Sequence, residues 1–168
     1  MTKVVLSLGS NLGNRELNLQ KALKMLQQYC CSIVKTSRIY QTEPWGFSSR
    51  MFFLNQVVIA ETDFDPFVLL NKTQLIERLL GRREKTVKSY KPRLIDIDII
   101  FYDNLIIKTP TLSIPHPLMH KRKFVLQPLN EIAPDFVHPL LDMTIAQLYE
   151  NCQDKSFVEI YEPAGVRR

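Results

Sequence analysis

Cysteine is scarce in this 168-residue chain, and Cys30, Cys31 and Cys152 form neither a CxxC pair nor a zinc-ligand set. An odd number without such spacing excludes a disulfide framework and a structural thiolate metal, so the thiols read as reduced packing residues. Long apolar runs are missing too. Residues 1–11 hold only a few consecutive apolar side chains before Gly9 and Ser10, too few for a signal peptide or a membrane span. A cytoplasmic protein with no membrane partner is expected. Glycine is rare, five residues in all, and the turn LGSNLG lacks the lysine and the spacing of a Walker A loop. It reads as a tight turn first and a ligand-facing loop second. Internal repeats and low-complexity segments are absent.

What is present suffices for one domain, residues 1–168, because a hydrophobic fraction of 45% can bury a core of its own. The formal net charge of +5 is unevenly spread. Six of the 22 basic residues and one of the 17 acidic ones lie between Arg82 and Arg93, leaving 16 of each sign elsewhere. The excess therefore sits in one loop, which favours a local anion site over a broad polyanion-binding face.

Lys3 to Leu8 reads as a strand ended by Gly9, and Leu19, Ala22, Leu23 and Leu26 recur at helical spacing within a helix from Arg15 to Tyr29. Strands are expected over Ser32 to Gln41 and Phe52 to Glu61, with a structured Pro-Trp-Gly loop over Thr42 to Arg50. Asp65 and Pro66 announce a second helix that ends near Gly81, since aspartate caps free N–H groups and proline suits the first turn. Leu94 to Tyr102, dense in isoleucine, is the next strand. The order β-α-β-β-α-β predicts an α+β, ferredoxin-like core with an antiparallel sheet and two helices on one face. Residues 103–168, helical near Lys121 to Ile132 and Thr144 to Cys152, are expected as a C-terminal extension packed on the sheet.

The segment IDIDII alternates Asp96 and Asp98 with Ile95, Ile97 and Ile99. Alternate strand residues share a face about 6.5–7 Å apart, so both carboxylates project together while the isoleucines enter the core. Two readings remain open: a site for paired magnesium ions clamping a polyphosphate, or a half-exposed strand showing two solvated acids. The neighbouring basic loop favours the first. Arg82 and Arg93 bracket it, placed to fork onto phosphate oxygens, although a solvated surface loop has the same composition. In PHPLMHKRKF, Pro115 and Pro117 oppose a zinc-binding helix, so His116 and Arg122 read as phosphate contacts while His120 and His138 read as structural. Phe53 and Asn55 share a strand face, an aromatic plate beside an amide, which suits a flat heterocycle or ordinary core packing equally. The aromatic and basic RNP1 strand of an RNA-recognition domain is missing, which argues against nucleic acid.

Taken together, LSLGSNLG, YQTEPWG, FLNQVV, GRR, PRLIDIDIIFYDN and IPHPLMHKRKFVLQPLNEIAPDFVHP resemble the 6-hydroxymethyl-7,8-dihydropterin pyrophosphokinases of folate biosynthesis, over roughly residues 3 to 140. The resemblance implies ATP as co-substrate and two Mg2+ ions on Asp96 and Asp98. It implies phosphate contacts from Arg82, Arg93, His116 and Arg122, an adenine pocket lined by Ile99, and Glu77 among the ATP-binding residues. It places the pterin between Phe53 and Phe124, with Asn55 and the stretch Thr42, Pro44 and Trp45 reading its polar edge. A monomer acting on small-molecule substrates is expected. The chain departs from many relatives at Lys91, where a glycine is common, at Pro117, where some have tyrosine, and in lacking a loop tryptophan, for which Tyr90 is the expected substitute.

Overall fold

The computed structural model describes residues 1–43, 52–81 and 94–163. Strand β1 (Thr2–Ser10) leads into helix α1 (Arg15–Tyr29), whose first turn is capped by the Asn14 side chain accepting the Leu17 N–H. Leu19, Ala22 and Leu26 are its buried stripe, spaced three and four apart as one helix face requires. Strands β2 (Ser32–Thr36), β3 (Tyr40–Thr42) and β4 (Phe53–Thr62) follow, then helix α2 (Pro66–Leu79) and strand β5 (Asp96–Tyr102). Asp65 Oδ1 accepts the N–H groups of Phe67 and Val68, satisfying two of the four donors that a helix start leaves orphaned. Past α2, Gly81 takes a left-handed φ of +109° that a side chain would resist.

The remainder contributes a short ladder of β6 (Ile107–Lys108) with β7 (Ser113–Ile114), helices α3 (Lys123–Ile132) and α4 (Ile145–Glu150), and strand β8 (Val158–Ile160). The main sheet is antiparallel in the order β5-β1-β4-β3-β8, with β2 also paired to β4. Leu19, Ala22 and Leu26 of α1 and Leu69 and Ile76 of α2 pack with Val4, Leu6 and Leu8 on one face. On the other, Val125, Leu126 and Leu129 of α3 and Ile145 and Leu148 of α4 pack with Val5, Val57 and Phe101. A helix layer therefore covers each face, and the extension supplies the second one.

Three expectations change in detail. The single strand expected over 32–41 is two strands, because Ser37 interrupts it: its hydroxyl accepts the Val57 N–H while Gln56 Nε2 donates to its carbonyl. β1 continues through Gly9 to Ser10, so Gly9 belongs to the ladder and not to the turn. β8, only three residues long, carries too little pattern to be read from sequence. In β5 a register shift opposite Val5 and Leu6 places one extra residue, Ile100, between Ile99 and Phe101. This bulge lets Ile100 and Phe101 both join the α3/α4 cluster, while Ile97 and Ile99 face α1 and α2.

Candidate active site

The site is built on the sheet face that α3 covers. Asp96 and Asp98 pair across the ladder with Gly9 and Ser7 of β1, and residues directly opposite in a ladder share a face. Both aspartates are half-buried, while Ile95, Ile97 and Ile99 beside them are buried on the reverse side. β5 is an edge strand, so the backbone groups on its outer side need partners from elsewhere. Glu77, buried on α2, provides one by accepting the Ile97 N–H at 3.1 Å.

One row runs across the sheet at the level of Asp96. Gly9 is opposite both Asp96 on β5 and Asn55 on β4, and Asn55 is in turn opposite Tyr40 on β3. Two strand spacings place the Asp96 and Asn55 backbones about 10 Å apart. Gly9 lets its neighbours approach the β1 backbone closely: a Cβ there would lie 2.9 Å from Asn55 Oδ1 and 3.5 Å from Phe53 Cδ1. Thr42, also buried, accepts a 2.5 Å hydrogen bond from Asn55 Nδ2, which turns the amide oxygen toward Gly9. Phe53 pairs with Thr42 one step further along.

The segment between β7 and α3 adjoins β5. The His116 backbone N–H donates to the Ile100 carbonyl at 3.0 Å, tying this segment to the strand of the aspartates. His116 Nδ1 accepts the Leu118 N–H at 3.2 Å, which places the proton of a neutral ring on Nε2. Arg122, buried, precedes α3 and stacks its guanidinium 5.6 Å from the centre of the Phe124 ring. Phe124 packs at the margin of the α3/α4 cluster.

Among the expected site residues, Thr42, Phe53, Asn55, Asp96 and Asp98 share one sheet face, and Phe124 packs within the cluster that covers it. Ile99 lies mid-strand in β5 and packs on the α1/α2 face, on the reverse side from the aspartates. Pro44, Trp45, Arg82, Tyr90, Lys91 and Arg93 lie outside the described residues. His138 is structural as expected, its Nδ1 accepting the N–H groups of Leu140 and Leu141 and its ring edge-on to His120 at 6.4 Å. Gly9 is the residue that sequence reasoning underrated. A glycine inside a strand marks a close approach, and it was assigned to the turn.

A family model, described as 7,8-dihydro-6-hydroxymethylpterin-pyrophosphokinase (HPPK), matches residues 5–134. The chain belongs to that family. It is 46% identical over 141 residues to the 2-amino-4-hydroxy-6-hydroxymethyldihydropteridine pyrophosphokinase of Porphyromonas gingivalis, covering 83% of this chain and 95% of that protein. Identity to the protein of the same name from Aquifex aeolicus is 41% over 140 residues, 83% of this chain and 86% of that one. The folate synthesis bifunctional protein of Arabidopsis thaliana is 39% identical over 130 residues, which make up 77% of this chain but 27% of that protein. Among solved structures, the wild-type Plasmodium falciparum HPPK-DHPS superposes with a TM-score of 0.72 at 21% identity over 89% of this chain. The chain spans less than half of that structure, 43%, and the likeness concerns the fold. No helix among the described residues is long and apolar enough to cross a membrane.

Proposed function

We propose that the chain transfers the pyrophosphoryl group of ATP to the hydroxymethyl oxygen of 6-hydroxymethyl-7,8-dihydropterin, giving the pterin diphosphate and AMP for folate synthesis. The observation that carries this reading is the row Asp96, Gly9, Asn55 with Asp98 one step along β5: two carboxylates and an oriented amide on one sheet face, with a glycine between Asp96 and Asn55.

The hydroxymethyl oxygen attacks the β-phosphorus in line and AMP departs, a transfer that asks for alignment and charge neutralisation more than for a strong nucleophile. Asp96 and Asp98 offer hard carboxylate oxygens on one face and would hold the two magnesium ions of this reading. Held there, magnesium would supply charge neutralisation at the phosphate oxygens. The Nε2–H of His116 and the Arg122 guanidinium donate to those oxygens, and Arg82 and Arg93 add fixed positive charge. Phe53 and Phe124 hold the pterin ring between them. The Asn55 amide oxygen, oriented by Thr42, accepts from the polar edge of the ring, with Pro44 and Trp45 beside it. Ile99 and Glu77 belong to the adenosine side. In this reading residues 1–168 act as one cytoplasmic domain, a monomer without nucleic acid or membrane as partner.

Incubation of the purified chain with Mg-ATP and the hydroxymethyldihydropterin tests the assignment. AMP and pterin diphosphate form in equal amounts, whereas ADP as the product refutes pyrophosphoryl transfer.

A further inference from the structure

We infer that the segment Asp154–Tyr161, beyond the family-model match, is a strap that sets the width of the pterin subsite, with Asp154 and Phe157 as its positioning residues. The inference rests on the function proposed above and deepens it.

The strap touches both walls of that subsite. On one side β8 extends the sheet from β3, with Val158 opposite Thr42 and Ile160 opposite Tyr40. Just before the strand, Phe157 and Glu43 exchange two hydrogen bonds: the Phe157 N–H donates to Glu43 Oε1 at 2.9 Å, and the Glu43 N–H donates to the Phe157 carbonyl at 3.4 Å. The Phe157 ring also meets Phe52, centroid to centroid at 6.0 Å. Phe157 thereby joins the two residues that precede and follow 44–51 in sequence, and holds the strand ends that carry Thr42 and Phe53.

On the other side Asp154 grips the start of α3. Its Oδ2 accepts the Lys123 N–H at 3.0 Å, from the residue between Arg122 and Phe124. Lys123 is the first residue of α3, and the N-cap Arg122 makes no side-chain capping bond, so Asp154 serves as a cap from a distant part of the chain. Its Oδ1 accepts from the N–H and the hydroxyl of Ser156, which fixes the carboxylate in place. Burial pushes this carboxyl up, but the bonds from Ser156 and Lys123 outweigh it and hold the group below its ordinary value.

Asp154 and Phe157 are three residues apart, and three residues reach at most about 10 Å. A tie that short holds the Phe124 wall at a set spacing from the Thr42, Asn55 and Phe53 floor. A flat ring held between two walls is sensitive to that spacing, whereas Asp96 and Asp98 stand on β5, at the opposite end of the strand order from β8. Phe157 is 45% exposed, so its ring can be removed without opening the core.

Steady-state AMP formation by Phe157→Ala, Asp154→Ala and Phe157→Tyr chains tests this, together with thermal melting. The two alanine variants should raise KM for the hydroxymethyldihydropterin roughly tenfold, Phe157→Ala should leave KM for ATP within about twofold, and Phe157→Tyr should behave as wild type. Direct binding of the pterin in the presence of a non-hydrolysable Mg-ATP analogue should weaken in parallel. An unchanged pterin KM in both alanine variants overturns the inference. So does a rise of both KM values together with a fall in melting temperature, which would mark general destabilisation. A wild-type chain that forms no AMP from the pterin overturns the proposed function, and the strap with it, so the two failures are told apart by the wild-type measurement.

Discussion

Glu77 Oε2 accepts the backbone N–H of Ile97, the residue that separates Asp96 from Asp98. A helix carboxylate thus holds the outer edge of the very strand segment on which Asp96 and Asp98 are mounted. The expected role of Glu77 was contact with ATP. Its burial and this bond give it a second, structural part in fixing the backbone of β5. Glu77→Gln retains an oxygen for the Ile97 N–H and should retain most activity and stability. Glu77→Ala leaves a buried donor without this partner and should cost about 1–3 kcal/mol, with kcat reduced as the strand loosens. Urea unfolding and AMP release measured on both variants separate the two roles. Equal loss of ATP affinity in Gln and Ala variants, with stability intact, would favour direct nucleotide contact alone.

Under the proposed function, Asp96→Ala and Asp98→Ala should each lower turnover by roughly 10²-fold or more, since each would remove an anionic ligand from the proposed magnesium site. The aspartates are half-buried on an edge strand, so the melting temperature should move little. Full activity in both variants would remove the metal-site argument.

Gly9→Ala places a methyl group 2.9 Å from Asn55 Oδ1. The amide must turn or shift, and with it the acceptor that the proposed function gives to the pterin. The expected result is a pterin KM raised about tenfold, with Mg-ATP analogue affinity less affected because Asp96 and Asp98 are untouched. Isothermal titration with each ligand checks the split.

His138 gives the fold a pH dependence. Burial, and the nearby His120, push its imidazole below the ordinary value of 6.5, and burial together with Lys121 does the same to His120. His138 Nδ1 already accepts two backbone N–H groups, so protonation there must break both. Below about pH 6.5 the unfolded chain binds protons that the folded chain refuses, and stability therefore falls as pH drops, until the folded-state groups titrate. Above 6.5 both states are neutral and the dependence vanishes. Urea midpoints at pH 7.5 and 5.5 should differ more for wild type than for His138→Asn, whose amide oxygen can take the place of Nδ1. Identical pH slopes would show that His138 contributes nothing to the acid limb.

The Tyr40 hydroxyl donates to Glu131 Oε1 at 2.5 Å, and Arg38 reaches the same carboxylate through its backbone N–H and its Nε. Burial and this bond raise the phenol to about 12. A raised phenol pKa favours the neutral folded form below its ordinary value of 10, and the benefit is lost as pH climbs from 10 towards 12. Tyr40→Phe should lower stability by about 1–2 kcal/mol near neutral pH and abolish that alkaline loss, as unfolding monitored at pH 8 and 11 would show.

Helix α1 was legible to the residue because Leu19, Ala22 and Leu26 repeat at helical spacing, and α2 because Asp65 and Pro66 mark its start. Asp96 and Asp98 could be placed on one face from alternation alone, since a strand has only two faces. The break at Ser37 was hidden because its side chain bonds Val57, twenty residues away in sequence. β8 was hidden for the same reason: three residues become a strand only because β3 offers them an edge.

Local order, then, belonged to the sequence: which segments coil, which extend, and which side of β5 carries the acids. Periodicity and capping act over a few residues and can be read there. Tertiary structure decided what those segments face. It brought Gly9 between Asp96 and Asn55, put Glu77 behind Ile97, and carried Asp154 to the head of α3. Each of these contacts joins residues remote in the chain, and only the packed sheet, with a helix layer on either side, determines which remote groups meet.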